Sequence, residues 1–248
     1  MRIVVIGGTG LIGSQVVKRL GEHGHDAVPA SPNSGVNTVT GEGVKEVLQG
    51  ADVLVDVSNS PSFADDDVMN FFTTATTNLT AAAKEAGVGH YVALSIVGTD
   101  ELPESGYLRA KVAQEKLITE SGLPYSIIRA TQFFEFAGAI ADSATVDGVV
   151  HLPHGGVQPI AASEVAAVVG RTAATGPING VQEIGGPDEF TLDGWVRTVL
   201  QARNDSRDVV GDPRAKYFGT LLTGKQLVPN EGAQLQATSL KDWLAAGN

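Results

Sequence analysis

A glycine-rich segment, Gly7–Gly13, follows the first apolar run of the chain and precedes an amphipathic helical pattern. In such a turn the first glycine permits a tight bend, the second lets the backbone approach a pyrophosphate, and the third allows close helix–strand packing. The N–H groups and positive dipole end at the start of the helix also favour phosphate. We therefore predict a dinucleotide site that consists of Gly7, Thr9, Gly10, Leu11, Ile12 and Gly13.

Short β-branched runs alternate with helical patterns through the first two-thirds of the chain, which predicts an α/β fold. The predicted strands are Arg2–Ile6, Asp26–Ala30, Asn37–Thr40, Val53–Asp56, Tyr91–Ser95 and Tyr125–Arg129. The predicted helices are Leu11–Glu22, Val44–Gln49, Asp65–Ala86 and Tyr107–Ser121. Right-handed crossovers between these elements give a Rossmann-type, doubly wound parallel sheet with helices on both faces.

The pattern loosens after Arg129, and no linker separates this part from the rest. Its predicted strands and helices are Val149–His151, Val157–Ile160, Val181–Ile184, Glu164–Thr175 and Leu192–Ala202. We expect a single NAD(P)-binding domain over residues 1–248. Its dinucleotide-binding core would span 1–130, and a small, mainly substrate-covering C-terminal region would span 131–248.

Composition excludes several classes of function. The chain has no cysteine, so disulfides, thiolate metal sites and a cysteine nucleophile are ruled out. Its net charge of −11 disfavours nucleic acid and anionic membranes. The five histidines show no metal-ligand spacing, and no metal is expected. Without a signal-like segment or a long apolar run, we expect a cytoplasmic protein. We expect it to bind a small-molecule substrate and no nucleic acid or membrane. Its oligomeric state is left open, with a homodimer as one alternative.

The segment after the second predicted strand bears on the choice of cofactor. An acidic residue there would accept a hydrogen bond from a ribose hydroxyl, whereas an arginine would pair with a 2′-phosphate. This chain has neither, but the Ser31 and Ser34 hydroxyls and the Asn33 amide can donate to a phosphate. We expect NADP, with NAD also accepted. The same residues form a good turn, and that alternative fits either cofactor.

Two further loops should lie at the carboxyl edge of the sheet. Ser58 and Asn59 follow a predicted strand where the chain should pass the cofactor ribose, although they could equally form a loop before a helix cap. Thr131 and Gln132 follow the last strand of the core, beside the expected nicotinamide. Both pairs are predicted to bind the cofactor.

A phenol and an ammonium lie four residues apart in the helix that follows the strand ending at Ser95. Tyr107 and Lys111 therefore share one helix face. A carbonyl that receives hydride at carbon needs a proton at oxygen, which tyrosine can supply, and a nearby lysine should lower the phenol pKa toward neutrality. We predict Ser95, Tyr107 and Lys111 as catalytic residues. Ser95 would orient the substrate oxygen and Lys111 would also bind the ribose. The alternative is a surface tyrosine and lysine on an interface helix of a protein that only senses the cofactor.

Three phenylalanines lie within four residues just after Gln132. Phe133 and Phe136 are predicted to line a pocket for a flat apolar ring. The alternative, a helix that packs its aromatic side chains into the core, fits the pattern equally well.

Together, the glycine-rich turn, Tyr91–Gly98, the Tyr107-xxx-Lys111 pair and Leu123–Arg129 resemble atypical short-chain dehydrogenases of the NmrA-like kind, over essentially the whole chain. The resemblance implies a Rossmann domain, NAD(P)H, and the roles of Ser95, Tyr107 and Lys111 given above. The group includes cofactor-sensing regulators and quinone reductases as well as dehydrogenases. One departure is that no basic residue follows the second strand, where many NADP-using relatives have one.

Three functions therefore compete. The leading hypothesis is an NAD(P)H-dependent oxidoreductase that transfers hydride to a carbonyl or quinonoid, ring-type small molecule through a Ser–Tyr–Lys mechanism. The second is an NAD(P)-sensing regulatory protein without turnover. The third, cofactor-retaining epimerase or dehydratase chemistry on a sugar nucleotide, ranks lower because no basic cluster in the C-terminal third could hold a second pyrophosphate.

Overall fold

A seven-stranded, all-parallel sheet lies at the centre of the computed structural model, which describes residues 1–247. In chain order the strands are β1 (Arg2–Ile6), β2 (Asp26–Ala30), β3 (Val53–Asp56), β4 (His90–Ile96), β5 (Tyr125–Ala130), β6 (Thr145–Val146), β7 (Val149–Leu152), β8 (Gly156–Val157), β9 (Gly180–Gly185), β10 (Phe190–Thr191), β11 (Asp208–Gly211) and β12 (Gln234–Leu235). The order across the large sheet is β12-β9-β5-β4-β3-β1-β2.

Helices cover both faces of this sheet. They are α1 (Leu11–Glu22), α2 (Val44–Leu48), α3 (Asp65–Ala86), α4 (Gly106–Glu120), α5 (Ala137–Ser143), α6 (Ala162–Ala174), α7 (Leu192–Ala202) and α8 (Leu240–Ala245). Successive side chains of a strand point to opposite faces. In β1, Ile3 and Val5 pack with α1 and α6, whereas Val4 and Ile6 pack with α2 and α3. The predicted Rossmann-type parallel sheet is confirmed.

The C-terminal part contributes both to this sheet and to a second core. Helix α6 packs on α1, and β9 pairs with β5 in parallel. The second core surrounds Phe134, Trp195 and Trp243 under the β11-β7-β6 sheet. The division into a core over 1–130 and a substrate-covering region over 131–248 stays a prediction. None of the helices within residues 1–247 is both long and apolar enough to cross a membrane.

The predicted strand Asn37–Thr40 is wrong, because no strand forms there and Thr38–Thr40 lie in a turn. The Asn37 side-chain oxygen accepts from the backbone N–H groups of Val39 and Thr40 at 3.0 and 3.2 Å. An asparagine that satisfies the backbone locally in this way competes with strand pairing. The crevice where the strand order reverses therefore lies between β1 and β3, with β2 at the edge of the sheet.

Candidate functional site

The turn after β1 has the form that a phosphate cradle requires. Gly7 has a left-handed φ of 77°, and a Cβ added there would lie 2.9 Å from the Ser58 backbone nitrogen. A Cβ at Gly13 would lie 2.1 Å from the Gly7 carbonyl oxygen, so only glycine permits this close approach. The N-cap of α1 is the exposed Gly10, which provides no side-chain cap, and the first helical residue, Leu11, is also exposed. The first N–H groups of α1 therefore remain available to an anion.

The segment after β2 forms a tight turn. The Ser34 hydroxyl accepts from the Ser31 backbone N–H at 3.0 Å and donates to the Ser31 carbonyl at 2.9 Å. The Ser31 hydroxyl is buried and has no hydrogen-bond partner among residues 1–247. Asn33 is exposed. Both hydrogen bonds of the Ser34 hydroxyl are thus made within the turn. Phosphate binding by Ser31, Asn33 and Ser34 stays a prediction.

A buried carboxylate that the sequence analysis did not single out ends β3. Asp56 is 1% exposed and accepts from the Ser58 hydroxyl at 2.6 Å, the Tyr91 hydroxyl at 3.1 Å and the Gln114 amide at 3.0 Å. Burial, followed by the Asp56 charge, raises the pKa of Tyr91 well above its ordinary value. Asp56 therefore fixes the loop that begins at Ser58 to the middle of the sheet. The sequence signal that could have identified Asp56 is its position at the end of a predicted strand.

Lys111 is directed toward this network and is only 3% exposed. Its ammonium donates to the Leu94 carbonyl at 2.9 Å and to the Gln114 side-chain oxygen, and it lies 4.4 Å from the centre of the Phe72 ring. Burial lowers the Lys111 pKa to about 8, against the opposing effect of the Asp56 and Glu115 charges. Gln114 thus bridges the ammonium and the buried Asp56 carboxylate.

Tyr107, at the start of α4, lies among other aromatic rings. Its hydroxyl donates to the Asn59 side-chain oxygen at 3.0 Å. Its ring stacks on Phe218, with centroids 5.3 Å apart, and meets Phe63 edge-on at 5.4 Å. Burial raises the Tyr107 pKa to about 12, partly offset by the bond to Asn59. The expectation that Lys111 lowers this pKa is therefore wrong, because within the described residues the ammonium bonds to Leu94 and Gln114 instead.

Ser95 lies in β4 next to an ion pair. Its hydroxyl donates to Glu115 at 2.5 Å, and Glu115 also accepts two hydrogen bonds from the Arg129 guanidinium, at 2.7 and 3.0 Å. Arg129 in turn reaches Asp100 at 3.1 Å. Ser95 is 3% exposed, and its proton is already donated to a carboxylate. Its role in orienting a substrate oxygen stays a prediction.

The loop after β5 contains an unpaired acceptor. Thr131 is buried and donates to the Gln158 carbonyl at 2.6 Å. The Gln132 side-chain oxygen is buried without a hydrogen-bond partner among residues 1–247, and the Gln132 side chain lies close enough to Tyr217 to lower the pKa of its hydroxyl. Burial raises the Tyr217 pKa, and the Gln132 side chain partly offsets this effect. Tyr217 therefore belongs to this cluster, although it lies over eighty residues from Gln132 in the sequence.

The three neighbouring phenylalanines have different environments. Phe134 is buried in the second core, 5.4 Å from Trp243 between ring centres. Phe133 is half-buried and stacks at 5.1 Å on Phe136, which is exposed. The core alternative therefore holds for Phe134, while a pocket lined by Phe133 and Phe136 stays a prediction. The rings that surround Tyr107 come from other parts of the chain.

The residues present fit a nicotinamide dinucleotide. The glycine turn leaves room for a pyrophosphate at the start of α1, in the crevice between β1 and β3. The unpaired Gln132 oxygen could accept from a carboxamide, and the unpaired Ser31 hydroxyl lies at the end of β2. These orphaned polar atoms have the chemistry that a bound dinucleotide would satisfy.

Comparisons with known proteins agree with this geometry. The chain is 25% identical over 149 residues to the photosystem II assembly factor Ycf39 of Synechocystis, covering 54% of this chain and 46% of the relative. It is 29% identical over 222 residues to the divinyl chlorophyllide a 8-vinyl-reductase of Cucumis sativus, covering 75% of this chain and 52% of the relative. The chain thus spans about half the length of these relatives. The dTDP-4-dehydrorhamnose reductase of Bacillus anthracis, solved with NADP, has the same fold, with a TM-score of 0.75 and 13% sequence identity. The match covers 96% of this chain and 95% of the reductase.

The sequence resemblance, the glycine turn and the fold therefore agree on one family. A family model described as NAD(P)H-binding matches residues 7–174, which is more than half of the chain. The chain accordingly belongs to this NAD(P)H-binding family of atypical short-chain dehydrogenases of the NmrA-like kind.

Proposed function

We propose that the protein is an NAD(P)H-dependent oxidoreductase that reduces a carbonyl or quinonoid, ring-type small molecule, with Tyr107 as the proton donor. The observation that carries the proposal is the environment of the Tyr107 hydroxyl. It lies at the carboxyl edge of the sheet, where it bonds to Asn59 beside the exposed ring of Phe63. Ligands of open α/β sheets bind at this edge.

The protonation state of Tyr107 is the one that a proton donor requires. With a pKa near 12, the phenol keeps its proton at neutral pH and can act as a general acid. The cofactor would supply the hydride to the acceptor carbon. The Tyr107 O–H bond breaks as the proton moves to the acceptor oxygen, and solvent water returns a proton to the phenolate. The substrate oxygen replaces the Asn59 oxygen as the acceptor of this hydrogen bond.

Lys111 acts in this proposal mainly by positioning. Its ammonium holds the end of β4 through Leu94 and, through Gln114, the Asp56 carboxylate on which the Ser58–Asn59 loop rests. That loop presents the Asn59 oxygen to Tyr107. A direct bond from Lys111 to the nicotinamide ribose would require the ammonium to leave the Leu94 carbonyl. Ser95 supports the same edge through Glu115.

The residues that would bind the dinucleotide are those of the glycine turn, Gly7, Thr9, Gly10, Leu11, Ile12 and Gly13, with contributions from the other loops at the same edge. In this arrangement the turn would bind the pyrophosphate, Asn33 would bind at the ribose 2′-position, and the Gln132 oxygen would accept a hydrogen bond from the carboxamide. Phe133 and Phe136 would lie along the substrate side. The Cucumis sativus relative is a reductase by name, which supports reduction as the reaction type.

A specific observation favours the second candidate, an NAD(P)-sensing protein without turnover. All three predicted catalytic groups already have partners within the protein: Ser95 with Glu115, Tyr107 with Asn59, and Lys111 with Leu94. Side chains that are paired in this way can have a purely structural role.

Loss of NADPH absorbance with a panel of ketones, aldehydes and quinones separates the two candidates. The reductase predicts substrate-dependent oxidation that is absent without the acceptor. Tight NADPH binding, measured by fluorescence, together with no oxidation above the acceptor-free rate would overturn the reductase and leave the sensor.

A further inference from the structure

The four residues Tyr217–Thr220 form a tight turn with unusual backbone angles. Tyr217 and Thr220 exchange two backbone hydrogen bonds, at 2.8 and 3.1 Å. The two central residues, Phe218 and Gly219, both have left-handed φ angles, 46° and 83°. A turn of this kind favours asparagine followed by glycine, because most side chains are strained at positive φ. Phenylalanine in the first central position is therefore an outlier.

The surroundings of the turn hold it in this strained form. Tyr217 and Thr220 are buried on either side of the exposed Phe218. The Thr220 hydroxyl donates to Glu104 at 3.3 Å, and Tyr217 is buried beside the Gln132 side chain. Strain of this kind persists only where neighbouring contacts fix the backbone, and it concentrates at functional sites.

The strained residue places its ring on the candidate proton donor. The Phe218 ring stacks on Tyr107 at an interplanar angle of 26° and also meets Phe63, with centroids 5.5 Å apart. Tyr107 also packs against the buried Phe72, with ring centroids 6.1 Å apart, and its hydroxyl bonds to Asn59 on an exposed loop. The orientation of the hydroxyl therefore depends on what holds the ring.

We propose that Phe218 is a positioning residue for Tyr107, and that the Tyr217–Thr220 turn keeps its left-handed backbone in order to hold the Phe218 ring against the phenol. The inference rests on the proposed function. It adds a segment from the C-terminal third of the chain to the catalytic apparatus. The high Tyr107 pKa supports it, since burial is the largest cause of the shift and the Phe218 ring supplies part of that cover.

The test compares Phe218→Asn with Phe218→Tyr. Asparagine suits a left-handed backbone and removes the ring, whereas tyrosine keeps a ring that can stack. Leu221→Ala is the matched control, because Leu221 is a similarly exposed apolar residue of the same segment. Small misplacements of a catalytic group can cost up to about 100-fold in rate. We expect Phe218→Asn to lower kcat on an accepted ketone about tenfold, with the KM and the NADPH Kd changed less than twofold.

Two readouts separate positioning from a merely structural role. The basic limb of the kcat–pH profile should move to lower pH in Phe218→Asn, because water reaches the phenol, whereas Phe218→Tyr should keep the wild-type profile. The ¹³Cζ NMR shift of Tyr107, assigned with Tyr107→Phe, should change in Phe218→Asn in the same direction as in Asn59→Ala. A Phe218→Asn variant with wild-type kcat, pH profile and ¹³Cζ shift would overturn the proposal.

The NMR readout does not depend on turnover. If the wild-type protein reduces no acceptor, the proposed function fails, while the ¹³Cζ comparison still reports whether Phe218 holds the phenol on Asn59. If the wild type reduces ketones and Phe218→Asn matches Leu221→Ala in every measurement, the proposed function stands and the positioning role is rejected. A thermal melt of each variant verifies that it is folded.

Discussion

Tyr107 donates its hydroxyl proton to the Asn59 side-chain oxygen at 3.0 Å, and this bond joins the start of α4 to the loop after β3. The same loop rests on Asp56, which Gln114 links to Lys111 one turn farther along α4. The exposed Tyr107–Asn59 bond is therefore connected, through the loop after β3, to the buried network of Asp56, Gln114 and Lys111.

Replacing the phenol tests the mechanism. Tyr107→Phe keeps the ring stacked on Phe218 and deletes the proton that must reach the substrate oxygen. General acid catalysis contributes about 10²–10⁴-fold, so kcat on ketones should fall by about that factor while NADPH affinity is retained. Steady-state kinetics and a fluorescence titration measure the two effects. Turnover within about threefold of wild type on every accepted ketone would remove Tyr107 from the mechanism. For a quinone, which can take its proton from water, the effect should be smaller.

The turn after β2 predicts a weak preference between the two dinucleotides. Asn33 is exposed, the Ser34 hydroxyl proton is donated to the Ser31 carbonyl, and the turn has no cationic side chain. We expect both cofactors to bind with affinities within about tenfold, or about 1.4 kcal/mol. Asn33→Arg should shift the preference toward NADPH and Asn33→Asp toward NADH. Titration of both cofactors at one ionic strength decides this, and a hundredfold preference in the wild type would contradict it.

Phe134 and Phe136 offer a matched comparison of core and surface. Phe134 is buried against Trp243, so Phe134→Ala should cost about 3–5 kcal/mol of unfolding free energy. Phe136 is 44% exposed, so Phe136→Ala should change stability by less than about 1 kcal/mol. If Phe136 lines the substrate pocket, that variant should raise the KM for ring substrates several-fold without changing the NADPH Kd. Denaturant melts and KM values test both statements. An unchanged KM in Phe136→Ala would reject the pocket role.

The elements that the sequence predicts best are those with strong local signals. Strand β1 and helix α1 begin and end at the predicted residues, because β-branched runs, helical spacing and the glycine turn all act over short distances. The strand predicted at Asn37–Thr40 failed for an equally local reason, since the Asn37 side chain satisfies the backbone of a turn.

The parts of the site that were missed depend on contacts between distant residues. Phe218 stacks on Tyr107 across more than a hundred residues, and no periodicity marks a phenylalanine in a left-handed turn. The partners of Ser95 and Lys111 were hidden for the same reason. The sequence places Glu115 and Asp56 on a helix and at a strand end, but only the packed sheet brings them to the serine hydroxyl and the lysine network.

The last prediction concerns the buried ammonium of Lys111. Its pKa is about 8 in the folded protein and 10.5 as the ordinary value, because burial disfavours the charged form. Between these two values the unfolded chain binds more protons than the folded one, so the unfolding free energy should rise with pH. The rise should begin near pH 8, with a slope of at most about 1.4 kcal/mol per pH unit. Denaturant melts from pH 7 to 10 measure it.

Lys111→Met and Lys116→Met complete this experiment. Lys116 lies on the same helix with its side chain exposed, so Lys116→Met should keep the rise in stability between pH 8 and 10. Lys111→Met should abolish it, because the titrating group is gone. The measurement ends at pH 10, since Tyr91 and Tyr107 have raised pKa values and their contributions to stability are lost as the pH rises further. The same rise in both variants would show that Lys111 is not the buried group that titrates.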